Sequence, residues 1–375
     1  MEFVSDLGFR ISNLYHMDID FSRIAARIKG VSLVQKVMFT RNLALVVKAG
    51  MSLPQGLDAL SKESDSPLLK LILGEIKIDV NQGKEFSQAL TKYTNVFDPF
   101  YISMVKTGEA SGSLEEVLSS LATHMEKDRA LRSKVISALI YPAVILVVMT
   151  LVLFAMMVFV VPRLTQVFAS FNAKLPITTR LLIATSNFMV DHVVLLLVGI
   201  VVGIIGLWYF FRRTAKGKVM LDWFILHTPV FKTLSRKINT ARIARTLQTL
   251  VKSGIPILSA LNITHDVVQN SYYQEMLLAA RRGVEKGKSL NEILKEYPKL
   301  YPPLATQLIT VGEETGALDL VLTDLAEFYE QEVDTITKNL SSIIEPVLMV
   351  LIGSAVGFLA ISMLQPIYSL TSSIG

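Results

Sequence analysis

The stretch FTRNLALVVKAGMSL, residues 39–53, recurs with substitutions as IARTLQTLVKSGIPI at residues 243–257. Gly50 aligns with Gly254, and the arginine and the lysine that precede each glycine also align. A shift of 204 residues superposes the two stretches, and the same shift continues through the rest of both copies without a gap. The sequence therefore predicts a duplicated domain, and this duplication decides how the other motifs are interpreted.

The same shift aligns TGEASGSL (107–114) with VGEETGAL (311–318), and it aligns Pro142 with Pro346 in two apolar segments. Apolar residues in each copy recur at helical spacing and strand alternation is absent, so each copy is expected to be a bundle of short helices. After Gly112 no proline occurs before Pro142. A helix from Ser113 to about Val161, roughly 70 Å long, is therefore expected to join the first helical domain to the apolar segment that follows it.

The sequence RRGVEKGKSL, residues 281–290, contains a GKS that resembles the end of a phosphate-binding loop. That loop requires G-x-x-x-x-G-K-[ST], and the position of its first glycine is occupied by Arg282. The aligned stretch in the other copy is Gly83-Lys84-Glu85, where a glutamate replaces the hydroxyl that would bind magnesium. Both copies therefore predict a turn between two helices rather than an ATP site.

Three apolar runs indicate membrane spans in a chain that is 51% hydrophobic with a mean hydropathy of +0.47. Residues 135–162 and 192–211 contain no charged side chain, and the run from Pro346 to Gly375 is also long enough to cross a bilayer. Basic residues precede the first run and follow the second, which favours a cytoplasmic N-terminus and an extracytoplasmic C-terminus. The fold class expected is an all-α membrane protein with two repeated cytoplasmic helical-bundle domains and three transmembrane helices.

The expected boundaries follow from the duplication and the apolar runs. They are an N-terminal lead-in (1–38), a first helical domain (39–134), a first span (135–162), an extracytoplasmic segment (163–191), a second span (192–211), a second helical domain (212–345), a third span (346–367) and an extracytoplasmic tail (368–375).

The residue inventory argues against several classes of function. The chain has no cysteine, which excludes disulfides and thiol catalysis, and its five histidines are scattered without the spacing of metal ligands. The net charge of +5 is spread thinly, so no basic stripe for nucleic acid is expected. We expect no catalytic residue, no cofactor and no metal site.

The G-E-x-x-G motif is the sharpest local pattern, and it consists of Gly108, Glu109 and Gly112 in one copy and Gly312, Glu313 and Gly316 in the other. The glycines fit a tight connection between helices, where a positive φ is easily adopted. Each glutamate precedes the start of the long helix, where its carboxylate can accept N–H bonds and oppose the helix dipole. A metal or partner contact is the alternative, although two separate carboxylates do not define a site.

These motifs resemble the polytopic inner-membrane platform proteins of type II secretion systems and type IV pilus machines. The resemblance runs from Phe39 onward and includes TGEASGSL, VGEETGAL, the IYP of residues 140–142, the LP of residues 175–176 and the IIEPVL of residues 343–348. It implies a non-enzymatic platform that contacts a cytoplasmic hexameric ATPase, pilins or pseudopilins and other inner-membrane components. The lead-in is short compared with relatives, which leaves open any ATPase contact that they make there.

Glu345 marks a difference between the two copies, because its aligned residue is Tyr141. One interpretation is that Glu345 ends the cytoplasmic region with its carboxylate in interfacial water. The other follows from the resemblance, which implies that a processed pilin brings its positively charged N-terminal amine to this face of the membrane. Glu345 would then be a partner contact.

Two further expectations concern assembly and alternative classes. Symmetric closure is common among assemblies, so a homo-oligomer, most simply a dimer, is expected. A small transporter built from parallel repeats is the alternative function, but charge-free spans offer little substrate path. An intramembrane peptidase would need paired aspartates or a Ser/His pair on the spans, and none is present in the sequence.

Overall fold

The computed structural model describes residues 30–170 and 176–374, and within these residues the chain forms α-helices and no strands. The chain divides into two compact units. The first comprises residues up to Ala130 together with Asn239–Phe328, which are the larger parts of the two expected helical domains. The second comprises Leu131–Ile238 together with residues from Tyr329 onward, and it contains the apolar runs.

The first helical domain consists of five helices and the start of a sixth. They are α1 (Leu33–Lys48), α2 (Leu53–Glu63), α3 (Pro67–Asn81), α4 (Phe86–Leu90), α5 (Pro99–Ser111) and α6 (Leu114–Ala155). Local sequence explains where they begin: Ser66 accepts from the N–H of Leu69, and Asp98 accepts from the N–H of Tyr101. Prolines occupy the first turn of α2, α3 and α5, where a backbone N–H would have no acceptor within the helix.

The second half of the described chain contains ten further helices. They are α7 (Val161–Ser170), α8 (Ile177–Asp191), α9 (Val193–Arg213), α10 (Ala215–His227), α11 (Pro229–Lys252), α12 (Ile257–Val267), α13 (Ser271–Glu285), α14 (Leu290–Lys295), α15 (Pro303–Thr315) and α16 (Leu318–Ile374).

The duplication is confirmed in the helix boundaries. A shift of 204 residues converts the bounds of α2, α3 and α5 into those of α12, α13 and α15, and α6 and α16 begin at equivalent residues. The turns are equivalent as well, because positive φ occurs at Gly50, Gly83 and Gly112 and again at each aligned glycine. Core leucines also align: Leu43 and Leu57 are buried, as are Leu247 and Leu261. One pattern of apolar residues and turns therefore specifies the same bundle twice.

The long helix expected from Ser113 to about Val161 is present as an α-helix from Leu114 to Ala155, and the second copy contains an equivalent long helix. In the first copy α6 runs through Pro142 and is followed by a π-helical segment, Met156–Val160, and then by α7. Pro162 lies two residues after the end of the π segment. A π segment is a common way for a helix to accommodate a proline, because proline lacks a backbone N–H and its ring clashes with the carbonyl four residues earlier. In the second copy α16 is continuous through Pro346.

Within residues 30–170 and 176–374 three helices are long and apolar enough to cross a membrane, in agreement with the three spans expected. They lie within residues 114–167, 193–211 and 318–365. Residues 163–191, expected to be an extracytoplasmic segment, contain α7 and α8 apart from the undescribed stretch 171–175. The expected lead-in and tail are partly helical, because α1 begins at Leu33 and α16 extends to Ile374; residues 1–29 lie outside the described chain.

In the second unit α8 packs between the ends of two spans. Val161, Leu182 and Leu359 form a buried apolar cluster. The hydroxyl of Ser186 donates to the carbonyl of Met157 in the π segment (2.5 Å), and the hydroxyl of Thr179 donates to the carbonyl of Ser362 (2.7 Å). These hydrogen bonds satisfy the small polar groups of the apolar region, so they act as packing contacts.

Candidate functional site

The G-E-x-x-G motif of the first copy joins three helices. Glu109, near the end of α5, accepts hydrogen bonds from the backbone N–H groups of Phe86 (2.5 Å) and Ser87 (2.7 Å), which begin α4. These N–H groups have no partner inside their own helix, because the first turn of any helix leaves its donors unsatisfied. One carboxylate oxygen serves each donor, so the side chain caps α4 from a neighbouring helix.

The second copy repeats this arrangement. Glu313 on α15 accepts from the N–H groups of Leu290 (2.6 Å) and Asn291 (3.1 Å) at the start of α14. The position of each glutamate in the sequence suggested N–H donors at the start of the long helix, whereas the observed donors lie on another helix. The capped helix is not the long one that follows the motif but the short one that precedes it by more than twenty residues. Nothing in the local sequence of either glutamate specifies that partner.

The glycines of the motif have two separate roles rather than the single one expected. Gly112 and Gly316 have a φ of +70°, and both end their helices in the left-handed conformation. Gly108 and Gly312 are helical and lie against the next helix. A Cβ atom on Gly108 would lie 3.0 Å from the Cβ of Val117, and one on Gly312 would lie 3.1 Å from the Cα of Leu318. The motif therefore permits a tight turn and a close helix–helix approach.

Glu313 also occupies backbone N–H groups that follow the GKS sequence. The N–H of Lys288 donates to the carbonyl of Gly283 (3.0 Å) in the turn that ends α13. Farther along the chain, the N–H groups of Leu290 and Asn291 donate to the carboxylate of Glu313. A phosphate loop needs such donors pointing at an anion, whereas here a side chain of the protein already fills the position.

The lysine of the other copy is also engaged. Lys84 forms an ion pair with Asp79 (2.5 Å), and Lys92 pairs with the same carboxylate. Hydrogen bonds from the two lysines lower the pKa of Asp79 below its ordinary value, so the carboxylate stays charged. The Gly-Lys turn is therefore a structural element in this copy, as the sequence predicted.

A buried polar contact joins the two repeats, and the sequence analysis did not find it. His124 on α6 lies with its Nδ1 atom 3.3 Å from the hydroxyl oxygen of Thr249 on α11, and its ring packs on Phe100 with centroids 4.4 Å apart. The guanidinium of Arg242 donates to Asp128 (3.0 Å) in the same contact. We refer to these five residues as the inter-repeat contact.

Burial lowers the pKa of His124 to about 4, because the surrounding protein disfavours the charged ring. Arg245 and Arg242 lower the pKa further, while Asp128 opposes them. The ring is therefore neutral at physiological pH. The available sequence signal was a difference between the copies, since His124 aligns with Phe328 and Thr249 aligns with Leu45.

In the part of the chain that the structure describes, carboxylate and histidine side chains do not gather into a ligand set. Within residues 30–170 and 176–374 no group of three or more His, Asp or Glu side chains could hold a metal ion. Of the five histidines, His16 lies outside the described residues. Both oxygens of Glu109 and both oxygens of Glu313 are engaged by backbone donors. The geometry thus favours the capping role of the two glutamates over the alternative of a metal site.

Comparison with known families reproduces the duplication. The family model described as type II secretion system (T2SS), protein F matches twice, at residues 39–162 and at residues 243–366. The two matches begin at the same residues as the internal repeat.

The chain belongs to this family.

Relatives of this chain are named both as type IV pilus assembly proteins and as type II secretion system proteins. The chain is 35% identical over 353 residues to the type IV pilus assembly protein PilC of Thermus thermophilus, covering 94% of this chain and 86% of the relative. It is 35% identical over 354 residues to the type II secretion system protein F of Xanthomonas campestris pv. campestris, covering 94% and 87%. It is 33% identical over 363 residues to PilC of Pseudomonas aeruginosa, covering 94% and 96%. With its three candidate spans, this family member is a multi-pass inner-membrane protein.

The remaining predicted residues lie on the long helices of the protein F repeats. Pro142 is buried within α6, and Pro346 is exposed within α16. Glu345 is exposed on α16, one residue before Pro346. Lys338, on the same helix, forms an ion pair with Asp334 (2.7 Å), and Lys134 on α6 pairs with the same carboxylate (2.8 Å). Lys338 therefore already has a carboxylate partner other than Glu345.

Proposed function

We propose that this chain is a non-enzymatic inner-membrane platform of a type IV pilus or type II secretion machine, and that it couples a cytoplasmic assembly ATPase to the assembly of pilins or pseudopilins. The observation that carries the proposal is the pair of protein F repeats, each of which leads without a helix break into a candidate span. Family membership supports the kind of machine. The engaged donors around GKS support the absence of nucleotide chemistry in the chain itself.

The long helices give the proposal its mechanism. The backbone of α6 is helical from Leu114 to Ala155, and that of α16 from Leu318 to Ile374. A continuous helix is a stiff element, since each residue adds 1.5 Å of rise held by backbone hydrogen bonds. A force applied to the start of such a helix in the helical domain reaches its apolar part without a flexible linker between them. The N-terminus is cytoplasmic in this arrangement, and the C-terminus is extracytoplasmic.

Glu345 is the partner contact in this proposal. Its carboxylate is exposed, it stands at the edge of the third apolar run, and its aligned residue in the other copy is an uncharged tyrosine. A carboxylate at a membrane edge is partly desolvated and favours a cation. The N-terminal amine of a processed pilin supplies such a cation, so an ion pair here would help to select processed subunits.

The proposal is tested by reconstitution. The full chain is placed in lipid nanodiscs and titrated with the assembly ATPase from the same genome, and both binding and ATP hydrolysis are measured. The platform role requires that the chain bind the ATPase and that the chain alone neither bind ATP stoichiometrically nor hydrolyse it. Empty nanodiscs serve as the control. Failure to bind the ATPase, or hydrolysis by the purified chain, contradicts the proposal.

A further inference from the structure

The helix α10 follows the second candidate span across a corner of one residue. α9 ends at Arg213, and Thr214 between the two helices has an extended backbone (φ −99°, ψ 138°). The hydroxyl of Thr214 donates to the carbonyl of Phe210 (2.6 Å) and accepts from the N–H of Gly217 (3.0 Å). An extended residue between two helices prevents α10 from continuing the axis of α9. The chain therefore changes direction where the apolar run ends.

The corner is closely packed because residue 217 is glycine. A Cβ atom on Gly217 would lie 2.3 Å from the carbonyl oxygen of Phe210 and 2.7 Å from the hydroxyl oxygen of Thr214. The carbonyl belongs to the backbone of α9, so a side chain at residue 217 would fit only if a helix moved. The first turn of α10 therefore lies directly against the last turn of α9, where the candidate span of residues 193–211 ends.

One side of α10 exposes three large apolar side chains. Met220, Trp223 and Phe224 are spaced i, i+3 and i+4, so they share one side of the helix, and they are 51%, 50% and 57% exposed. The ring of Trp223 stacks on that of His227, with centroids 4.2 Å apart, and remains half exposed. Asp222, the only acidic residue in the sequence of α10, is buried on the opposite side. We call Met220, Trp223 and Phe224 the α10 face.

Basic side chains lie near the end of α10 that adjoins the span. Arg213 and Lys216 are both exposed, and Lys216 lies one turn before Met220 on the side of the α10 face. Apolar and aromatic residues on one side of a helix, with basic residues beside them, are typical of a helix that lies in the plane of a membrane surface. The basic groups of such a helix meet the phosphates of lipid headgroups, while its apolar side chains enter the acyl boundary.

The length of α10 distinguishes a helix that lies flat from one that stands upright. Phe224 lies nine residues after Ala215, which corresponds to about 14 Å along the helix axis. The headgroup layer is only about 5–8 Å deep on each side of the hydrocarbon core. An α10 perpendicular to the membrane would therefore carry Phe224 into water, where a patch of large apolar side chains is unfavourable. A flat α10 keeps the whole α10 face within the headgroup layer.

We propose that α10 is an interfacial helix, with the α10 face inserted into the phospholipid leaflet at which the second span ends and with Arg213 and Lys216 on lipid phosphates. The occupant is lipid because α10 is continuous with a candidate span, and because the charge beside the α10 face is complementary to phosphate. α10 leads into α11, which enters the second repeat. An interfacial α10 thus fixes the chain at the membrane surface immediately before that repeat.

Tryptophan fluorescence tests the position of α10 in the intact chain. The chain has two tryptophans, so Trp208→Phe leaves Trp223 as the single tryptophan emitter. The variant is placed in nanodiscs of phosphatidylethanolamine and phosphatidylglycerol, with and without bromine on the acyl carbons nearest the glycerol. A ring at the boundary of headgroups and acyl chains should lose at least about half of its emission with brominated lipid. Aqueous iodide should quench it little.

A matched control uses the opposite side of the same helix. Lys218 is exposed and lies two residues before Met220, about 160° around the helix. Lys218→Trp, in a chain that also carries Trp208→Phe and Trp223→Phe, should be quenched by brominated lipid at least about twofold less than Trp223 is. A second comparison holds even if that variant fails to fold. In the Trp208→Phe chain, Phe224→Glu should reduce the quenching of Trp223 by at least about twofold, whereas Lys218→Glu should leave it unchanged.

Three results overturn the proposal. Quenching of Trp223 by iodide but not by brominated lipid shows that the α10 face lies in water. Quenching by neither shows that protein covers the face, whether another part of this chain or a second copy. Equal quenching of Trp223 and of Lys218→Trp by brominated lipid shows that α10 does not have one side in the leaflet. The nanodiscs contain no ATPase and no pilin, so the outcome is independent of the platform role.

Discussion

Replacing Glu313 with glutamine should loosen the start of α14 without disturbing the rest of the fold. The carboxylate accepts two N–H bonds, from Leu290 at 2.6 Å and from Asn291 at 3.1 Å. Glutamine keeps the size of the side chain but offers one carbonyl oxygen and one NH₂ group. The NH₂ group faces a backbone donor, so one of the two hydrogen bonds is lost and the other becomes neutral.

The magnitude follows from the geometry. Hydrogen bonds to a charged group contribute about 1.5–3 kcal/mol each, and the half-buried position of Glu313 favours the lower value. The pair therefore contributes about 3 kcal/mol, of which about 1 kcal/mol survives as a neutral bond in the variant. The loss of about 2 kcal/mol corresponds to a roughly 30-fold larger equilibrium constant for local opening at the two amides, and hence to roughly 30-fold faster hydrogen exchange.

Amide hydrogen exchange measures this opening directly. The full chain in detergent is compared with Glu313→Gln, and exchange is followed in the peptide covering residues 287–295. Glu314→Gln is the matched control, since Glu314 is the adjacent residue on α15 and is exposed. An exchange rate in that peptide that is the same for Glu313→Gln and Glu314→Gln refutes the capping role. Glu109→Gln repeats the experiment at α4, where the hydrogen bonds are 2.5 and 2.7 Å long.

Three further predictions concern His124, Lys288 and Glu345. The pKa of His124 is lowered to about 4 from 6.5, so between these pH values the folded chain binds fewer protons than the unfolded chain. The stability that this neutral ring contributes above pH 6.5 is therefore lost as the pH falls toward 4. The free energy of unfolding should fall by about 2 kcal/mol by pH 5, as measured by thermal unfolding. An equal fall in His124→Gln would show that another group causes the pH dependence. Lys288→Ala should leave pilus or pseudopilus assembly largely intact, because alanine keeps the backbone N–H that closes the turn and Arg282 occupies the position of the first glycine of a phosphate loop. Stoichiometric ATP binding that is abolished by this change argues for a nucleotide site. Glu345→Gln should impair pilus or pseudopilus assembly while expression and ATPase binding stay unchanged. If the variant assembles as well as the wild type, Glu345 has no role beyond ending the cytoplasmic region.

Much of the fold was predictable because its signals are local. A helix ends where a glycine can adopt a positive φ, and the aligned glycines Gly112 and Gly316 do so in both copies. A span is recognised by a long run without charge, which requires no knowledge of neighbouring residues. The end of the first long helix was less predictable, since the π segment before Pro162 and the packing of α8 depend on contacts such as that between Ser186 and Met157.

The sequence by itself determined the duplication, the number of spans, the positions of the turns and the absence of a complete phosphate loop, because each is encoded in residues close together in the chain or in a comparison of the chain with itself. Only the tertiary structure decided that Glu109 and Glu313 cap the helix before their motif, since the donors lie more than twenty residues away. It also decided which faces of the duplicated domain are buried. Two nearly equivalent repeats become unequal when they pack, because a head-to-tail contact covers Thr249 and leaves its aligned residue Leu45 exposed.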